Sequence, residues 1–296
     1  MRMDGQEESS NVEDVRGMGG GGGGGFGIGG RGIGLGSIAV AVIAGWIFGI
    51  NPLALLGMMG GSDGGGQVVQ QQQGPAPAPP ANDEGAKFVS QVLRSTEQVW
   101  TDVFRASGRT YQPPKLVLFQ GSWPTACGQG QAAMGPFYCP NDNKVYIDLR
   151  FYKVLEQRLG APGQFAQAYV VAHEVGHHIQ NQLGIMEKVD ALRRRGGEAQ
   201  ANALSVRVEL QADCFAGVWA ARSQKESGWR LDPGDIEAGL NAAAQIGDDM
   251  LQRKSQGMVV PESFTHGSSA QRVNWFKRGI EGGSVERCNT FEGRDL

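Results

Sequence analysis

YVVAHEVGHHI, residues 169–179, is the stretch on which the reading of this chain turns. On an α-helix, positions four apart are separated by about 40° around the axis and about 6 Å along it. His173 and His177 therefore share a face and can present two imidazoles to one metal ion. Glu174 lies about 100° from His173, on the rim of that face, placed to take a proton rather than to ligate. Val171, Val175 and Ile179 fall on the other side, and the Tyr169-Val170-Val171-Ala172 run marks the helix as buried. Two histidines and a glutamate on a solvated face is the competing reading. It is weakened because unpaired polar groups on a buried helix are costly.

A catalytic zinc site commonly takes three protein ligands and keeps one position for water, so a third ligand is expected from a second element. ELQAD, residues 209–213, begins 32 positions after His177. Glu209 and Asp213 again stand four apart. Glu209 is expected to ligate, and Asp213 to accept a hydrogen bond from the non-ligating nitrogen of a zinc histidine, fixing its tautomer. Leu210, Ala212, Cys214, Phe215, Ala216 and Val218 argue for a buried helix rather than an exposed acidic pair. His178 points about 140° away from His173 and reads as structural.

HEVGH followed by ELQAD is similar to the gluzincin metallopeptidases, especially the HtpX-like and prenyl-protein-protease branch. That branch has a downstream THPxxxxR pattern, which THGSSAQR, residues 265–272, matches except for Gly267 at the proline position. FYCPNDNKVYIDL (137–149), AHEVGHHIQNQLG (172–184), ELQADCFAG (209–217) and HGSSAQRVNWF (266–276) resemble the bacterial neutral zinc metallopeptidase family over nearly the whole chain. The resemblance implies a zincin-like domain holding one Zn2+, with His266 and Arg272 as candidate oxyanion donors. His266 is also the one histidine outside the 169–179 stretch. The resemblance further implies that the strand carrying Tyr146 is an edge strand, pairing with an extended substrate by strand addition.

The expected activity is hydrolysis of a peptide bond by a zinc-activated water, with Glu174 as general base. The expected partner is a protein or peptide substrate of unknown identity. Two alternatives stay open: a catalytically silent zinc-bound scaffold for envelope proteins, which would have no chemical need of Glu174, and a zinc amidase acting on a non-peptide bond. The sequence does not specify oligomeric state.

Around these motifs the pattern is mixed. Helices are expected at 85–106, 164–183, 198–223, 233–252 and 268–279, and strands at 115–119 and 144–149, which together indicate an α+β domain. The domain is placed at 83–296. Residues 57–82 read as a Gly/Gln/Pro-rich linker and residues 1–32 as a disordered, Gly-rich cytoplasmic N-terminus, since glycine runs bury too little apolar surface to order. Of the 296 residues 47 are Gly, with most of the excess before residue 70. Residues 33–56 are apolar enough for one transmembrane helix. Arg2, Arg16 and Arg31 before it and Asp63 and Asp83 after it predict a cytoplasmic N-terminus and an extracytoplasmic domain at the inner membrane. A cleaved signal peptide is the weaker reading, because the apolar core is long and begins late. The net charge of −3 with no basic block gives no sign of nucleic-acid binding. Outside the cytoplasm Cys127, Cys139, Cys214 and Cys288 are expected to be oxidised. Of the three possible pairings, Cys127–Cys139 with Cys214–Cys288 is favoured.

Overall fold

The computed structural model describes residues 1, 5–18, 76–132, 135–226 and 229–292. The apolar stretch 33–56 lies outside them, and among the described residues no helix is long and apolar enough to cross a membrane. The domain is α+β and mostly helical. Its main sheet joins β1 (Val12–Asp14), β2 (Lys115–Leu118), β5 (Phe137–Cys139) and β6 (Lys144–Ile147) in the order β1-β2-β6-β5. The β1, β2 and β6 strands run parallel, while β5 is antiparallel to β6. A separate antiparallel hairpin pairs β3 (Ser122–Thr125) with β4 (Gly128–Gln131).

Side-chain alternation gives this sheet two buried faces. Leu116 and Leu118 of β2, with Val145 and Ile147 of β6, enter the main helical core. Val117, Phe119 and Tyr146 point the other way, into a small cluster with Val15 and Cys139. Eight helices are described: α1 (Glu84–Ala106), α2 (Phe151–Gln157), α3 (Gln164–Gln182), α4 (Ile185–Arg193), α5 (Glu198–Glu226), α6 (Asp235–Gln245), α7 (Asp248–Gln256) and α8 (Ser269–Gly282). Asp83 caps α1 by accepting from the Ala86 amide. Ser268 and Gln271 form a reciprocal capping box at the start of α8.

Three expectations are corrected here. Residues 5–18, read as part of a disordered head, form an ordered flank of the domain. Val12, Glu13 and Asp14 pair in register with Leu116, Val117 and Leu118. The Ser9 hydroxyl and Asn11 amide both donate to Glu97 on α1, and Glu13 binds Lys115 and Lys144. These residues carry few glycines and two buried valines, so the compositional argument does not apply to them. Second, β6 is an interior strand with both backbone edges occupied. Tyr146 is buried and its hydroxyl donates to Asp142, so it is not on a free substrate-binding edge. Third, the expected 233–252 helix breaks into α6 and α7 at Gly247. A Cβ there would lie 2.4 Å from the Ser269 nitrogen, so the helical pattern yields to a close approach of the α8 N-terminus.

Both disulfides form as expected, Cys127–Cys139 and Cys214–Cys288. The first ties the β3–β4 hairpin to β5. The second ties the C-terminal segment to α5.

Candidate metal centre

Two helix crossings without side-chain bulk build the centre. Gly176, inside the HEVGH stretch, faces Ala212 of α5; a Cβ added there would lie 2.9 Å from the Ala212 carbonyl oxygen. Along α5, Gly217 meets Gly279 of α8 so closely that any Cβ would overlap backbone atoms of the other helix. Contacts of this kind admit only glycine. They press the histidine face of α3 and the start of α8 against the Glu209–Asp213 segment.

At the first crossing His173, His177 and Glu209 converge. One ligand atom from each lies within 4.8 Å of the others. His173 Nε2 is 3.1 Å from one Glu209 oxygen and His177 Nε2 is 3.5 Å from the other. Two imidazole nitrogens and a carboxylate make the donor set of a catalytic zinc site, so these residues fit the ion that the sequence implies. Glu174, beside them, is 7% exposed, and among the described residues none donates to its carboxylate. Burial pushes its pKa up, opposed by the nearby histidines.

The supports of the two histidines differ. His173 Nδ1 lies 2.8 Å from Asp213 Oδ1, the contact expected from the sequence. Asp213 also accepts from the Tyr169 hydroxyl at 2.5 Å and from Arg272 Nε and Nη2 at 2.9 and 3.0 Å. Although burial pushes Asp213 up, Arg272 and His173 hold its carboxyl below the usual value. For His173 burial acts downward, but Asp213 and Glu209 raise it to about 10; a metal ion taking Nε2 would displace its proton. His177 uses a neutral partner instead: its Nδ1 lies 2.9 Å from Gln180 Oε1.

Arg272 has a part in the site beyond the one expected. Its guanidinium is 2% exposed and is taken up by Asp213, Tyr169 and the Ile246 carbonyl. It braces the carboxylate behind His173, with Nε and Nη2 both turned to Asp213. His266 keeps its candidacy, with a side chain 43% exposed. Asp248 organises its loop: one carboxylate oxygen accepts from the amides of Thr265, His266 and Gly267, and the other meets His266 Nδ1 at 3.2 Å. Burial would lower the imidazole's pKa, but Asp248 and Glu209 raise it overall. Gly267 has φ +90°, a conformation closed to the proline of the related pattern. The loop is therefore held by Asp248 and not by a rigid ring.

Gln180 and Asp248 were missed in the sequence. Gln180 stands three positions after His177, and its signal was a polar residue on the buried face of a metal-carrying helix. Asp248 follows Gly247, and a glycine–acid pair inside an expected helix marks a helix start. His178 is structural as expected. Its Nε2 donates to the Gln112 carbonyl at 2.7 Å, its Nδ1 lies 3.0 Å from the Tyr138 hydroxyl, and burial lowers it to about 4.

The model of the family described as "Putative neutral zinc metallopeptidase" matches residues 1–291. The Escherichia coli (strain K12) protein YpfJ is 52% identical over 291 residues, 98% of this chain and 99% of its own. The Mycobacterium tuberculosis (strain H37Rv) protein Rv2575 is 41% identical over 211 residues, 68% of this chain and 69% of its own. Neither relative's name states an activity. No solved structure matches.

Proposed function

The chain belongs to this neutral zinc metallopeptidase family, and from that premise we propose that it is a zinc-dependent endopeptidase of zincin-like design. The observation that carries the reading is the convergence of His173, His177 and Glu209 on one point with Glu174 beside it. A zinc ion held there would supply Lewis acidity, polarising a scissile carbonyl and acidifying water at its open position.

Each nearby side chain has a task in that reaction. Glu174 takes a proton from the attacking water and passes it to the leaving amine; burial raises its pKa, which makes the carboxylate a stronger base. Asp213, braced by Arg272 and Tyr169, holds the His173 Nδ1 hydrogen and so turns Nε2 toward Glu209. With Asp248 holding Nδ1, His266 in its protonated form offers an Nε2–H donor to developing negative charge. An extended substrate is best received by β5, whose far edge is not paired to any described strand, in place of the β6 edge first expected.

The test is cleavage of a peptide library by the full-length protein and its Glu174→Gln variant. The variant is expected to lose at least about 10²-fold in turnover, the scale of a general base, while keeping its fold. A variant as active as wild type would remove Glu174 from the mechanism. A wild type inactive on every peptide would favour the scaffold.

A further inference from the structure

His177 has no carboxylate behind it, and what stands there reaches much further into the fold. Gln180 is wholly buried and Gln211 nearly so. Gln180 Nε2 donates to the Val208 carbonyl at 2.7 Å and to Gln211 Oε1 at 3.1 Å. Gln211 Nε2 in turn donates to the Cys288 carbonyl at 2.9 Å. An amide has one donor end and one acceptor end. With two acceptors facing its nitrogen, Gln180 must turn its oxygen to His177, so Nδ1 carries the hydrogen and Nε2 is left bare toward Glu209. Cys288 is fixed by its disulfide to Cys214, the neighbour of Asp213.

We propose that Gln180 is a positioning residue for His177, itself oriented through Gln211 by the disulfide-held C-terminal segment. This rests on the metal-site reading above. The test is Zn2+ affinity of the full-length protein, measured by competition with a chromophoric chelator. Gln180→Met should weaken binding about 10- to 100-fold, the effect of losing a partner behind a ligand. Gln211→Met, which removes only the link between Gln180 and the Cys288 carbonyl, should weaken it less and in the same direction. Unchanged affinity in Gln180→Met with a lowered melting temperature would reduce the amide to packing and overturn the proposal. If Gln180→Met does not fold, unchanged affinity in Gln211→Met overturns it instead. A wild type that binds no zinc would fail the underlying reading, a distinguishable result.

The β1–β2 ladder carries a second inference independently. Residues 12–14 precede the apolar stretch and residues 115–118 follow it, yet the two pair in register, and the Leu116 amide donates to the Asn11 carbonyl at 2.8 Å. A single crossing at 33–56 would hold these strands apart by about 30 Å of hydrocarbon. Two crossings need about 40 apolar residues, and residues 33–56 number 24. We infer that the N-terminal segment and the metal centre lie on the same side of any membrane the chain meets. This replaces the arrangement with a cytoplasmic N-terminus and an extracytoplasmic domain.

Ser10 and Arg105 are exposed, and all four native cysteines are paired. Full-length Ser10→Cys and Arg105→Cys, expressed separately in a bacterium, would each carry one free thiol for a membrane-impermeant maleimide. In intact spheroplasts both should label, or both should stay protected until lysis. Labelling of one site with protection of the other would overturn the inference.

Discussion

The two ends of the domain reach order by different routes. The α3–α5–α8 crossing is held by buried charge: Arg272, Asp213, Tyr169 and His173 bond to one another with almost no exposure. The N-terminal flank is held by a short ladder, two valines and ion pairs at the rim. In the first region a lost partner strands a charge in the interior, and at the rim of the second, around Glu13, water replaces it. Chemistry is thus placed where geometry is costly to disturb, and the flank contributes in small increments.

The largest expected effect is accordingly at Arg272. Arg272→Ala leaves Asp213 buried without its cation and should cost about 3–5 kcal/mol, read by denaturant unfolding of the metal-free protein. A cost under about 1 kcal/mol would show that Tyr169 and His173 alone satisfy the carboxylate, and the contrast would collapse. Next comes the Cys214–Cys288 bridge. Replacing both cysteines by Ser opens a loop of 74 residues, worth up to about 4.5 kcal/mol in the chain-entropy model. The Cys127–Cys139 loop of 12 is worth about 3 kcal/mol, and a reversed ranking would break the comparison.

The flank is tested by smaller changes. Val12→Ala removes two buried carbons and should cost about 1.5 kcal/mol. A disordered tail would show no change. Smaller still is Glu13→Gln, under about 1 kcal/mol for a partly exposed pair. Burial pushes the Glu13 carboxyl up, but hydrogen bonds from Lys115 and Lys144 bring it below its ordinary value of 4.5. A depressed carboxyl contributes stability above its unfolded pKa and loses it as pH falls through the folded value. The difference between wild type and Glu13→Gln should therefore be present above about pH 4.5 and vanish below it.

What was legible in the sequence follows the same division. His173, His177, Glu209 and Asp213 could be placed because helical spacing is local, and two four-residue separations on buried helices predict shared faces. Both cysteine pairings were also foreseen. The order of strands was not, because β1 joins β2 across about a hundred residues and no periodicity reports a partner that far away. The contact of Arg272 with Asp213 was not foreseen for a related reason: the motif gave its position but not its burial. The break at Gly247 depends on how closely α8 approaches, which is a property of packing.

The central claim is that two histidines and Glu209 hold the metal while Glu174 serves the reaction. The most direct measurement is the zinc content, by elemental analysis, of full-length wild type, Glu209→Ala and Glu174→Gln purified side by side. One zinc per chain is expected in wild type and in Glu174→Gln, and essentially none in Glu209→Ala. A full equivalent of zinc in Glu209→Ala would contradict the assignment of the third ligand, and its loss from Glu174→Gln would contradict the role given to the glutamate beside it.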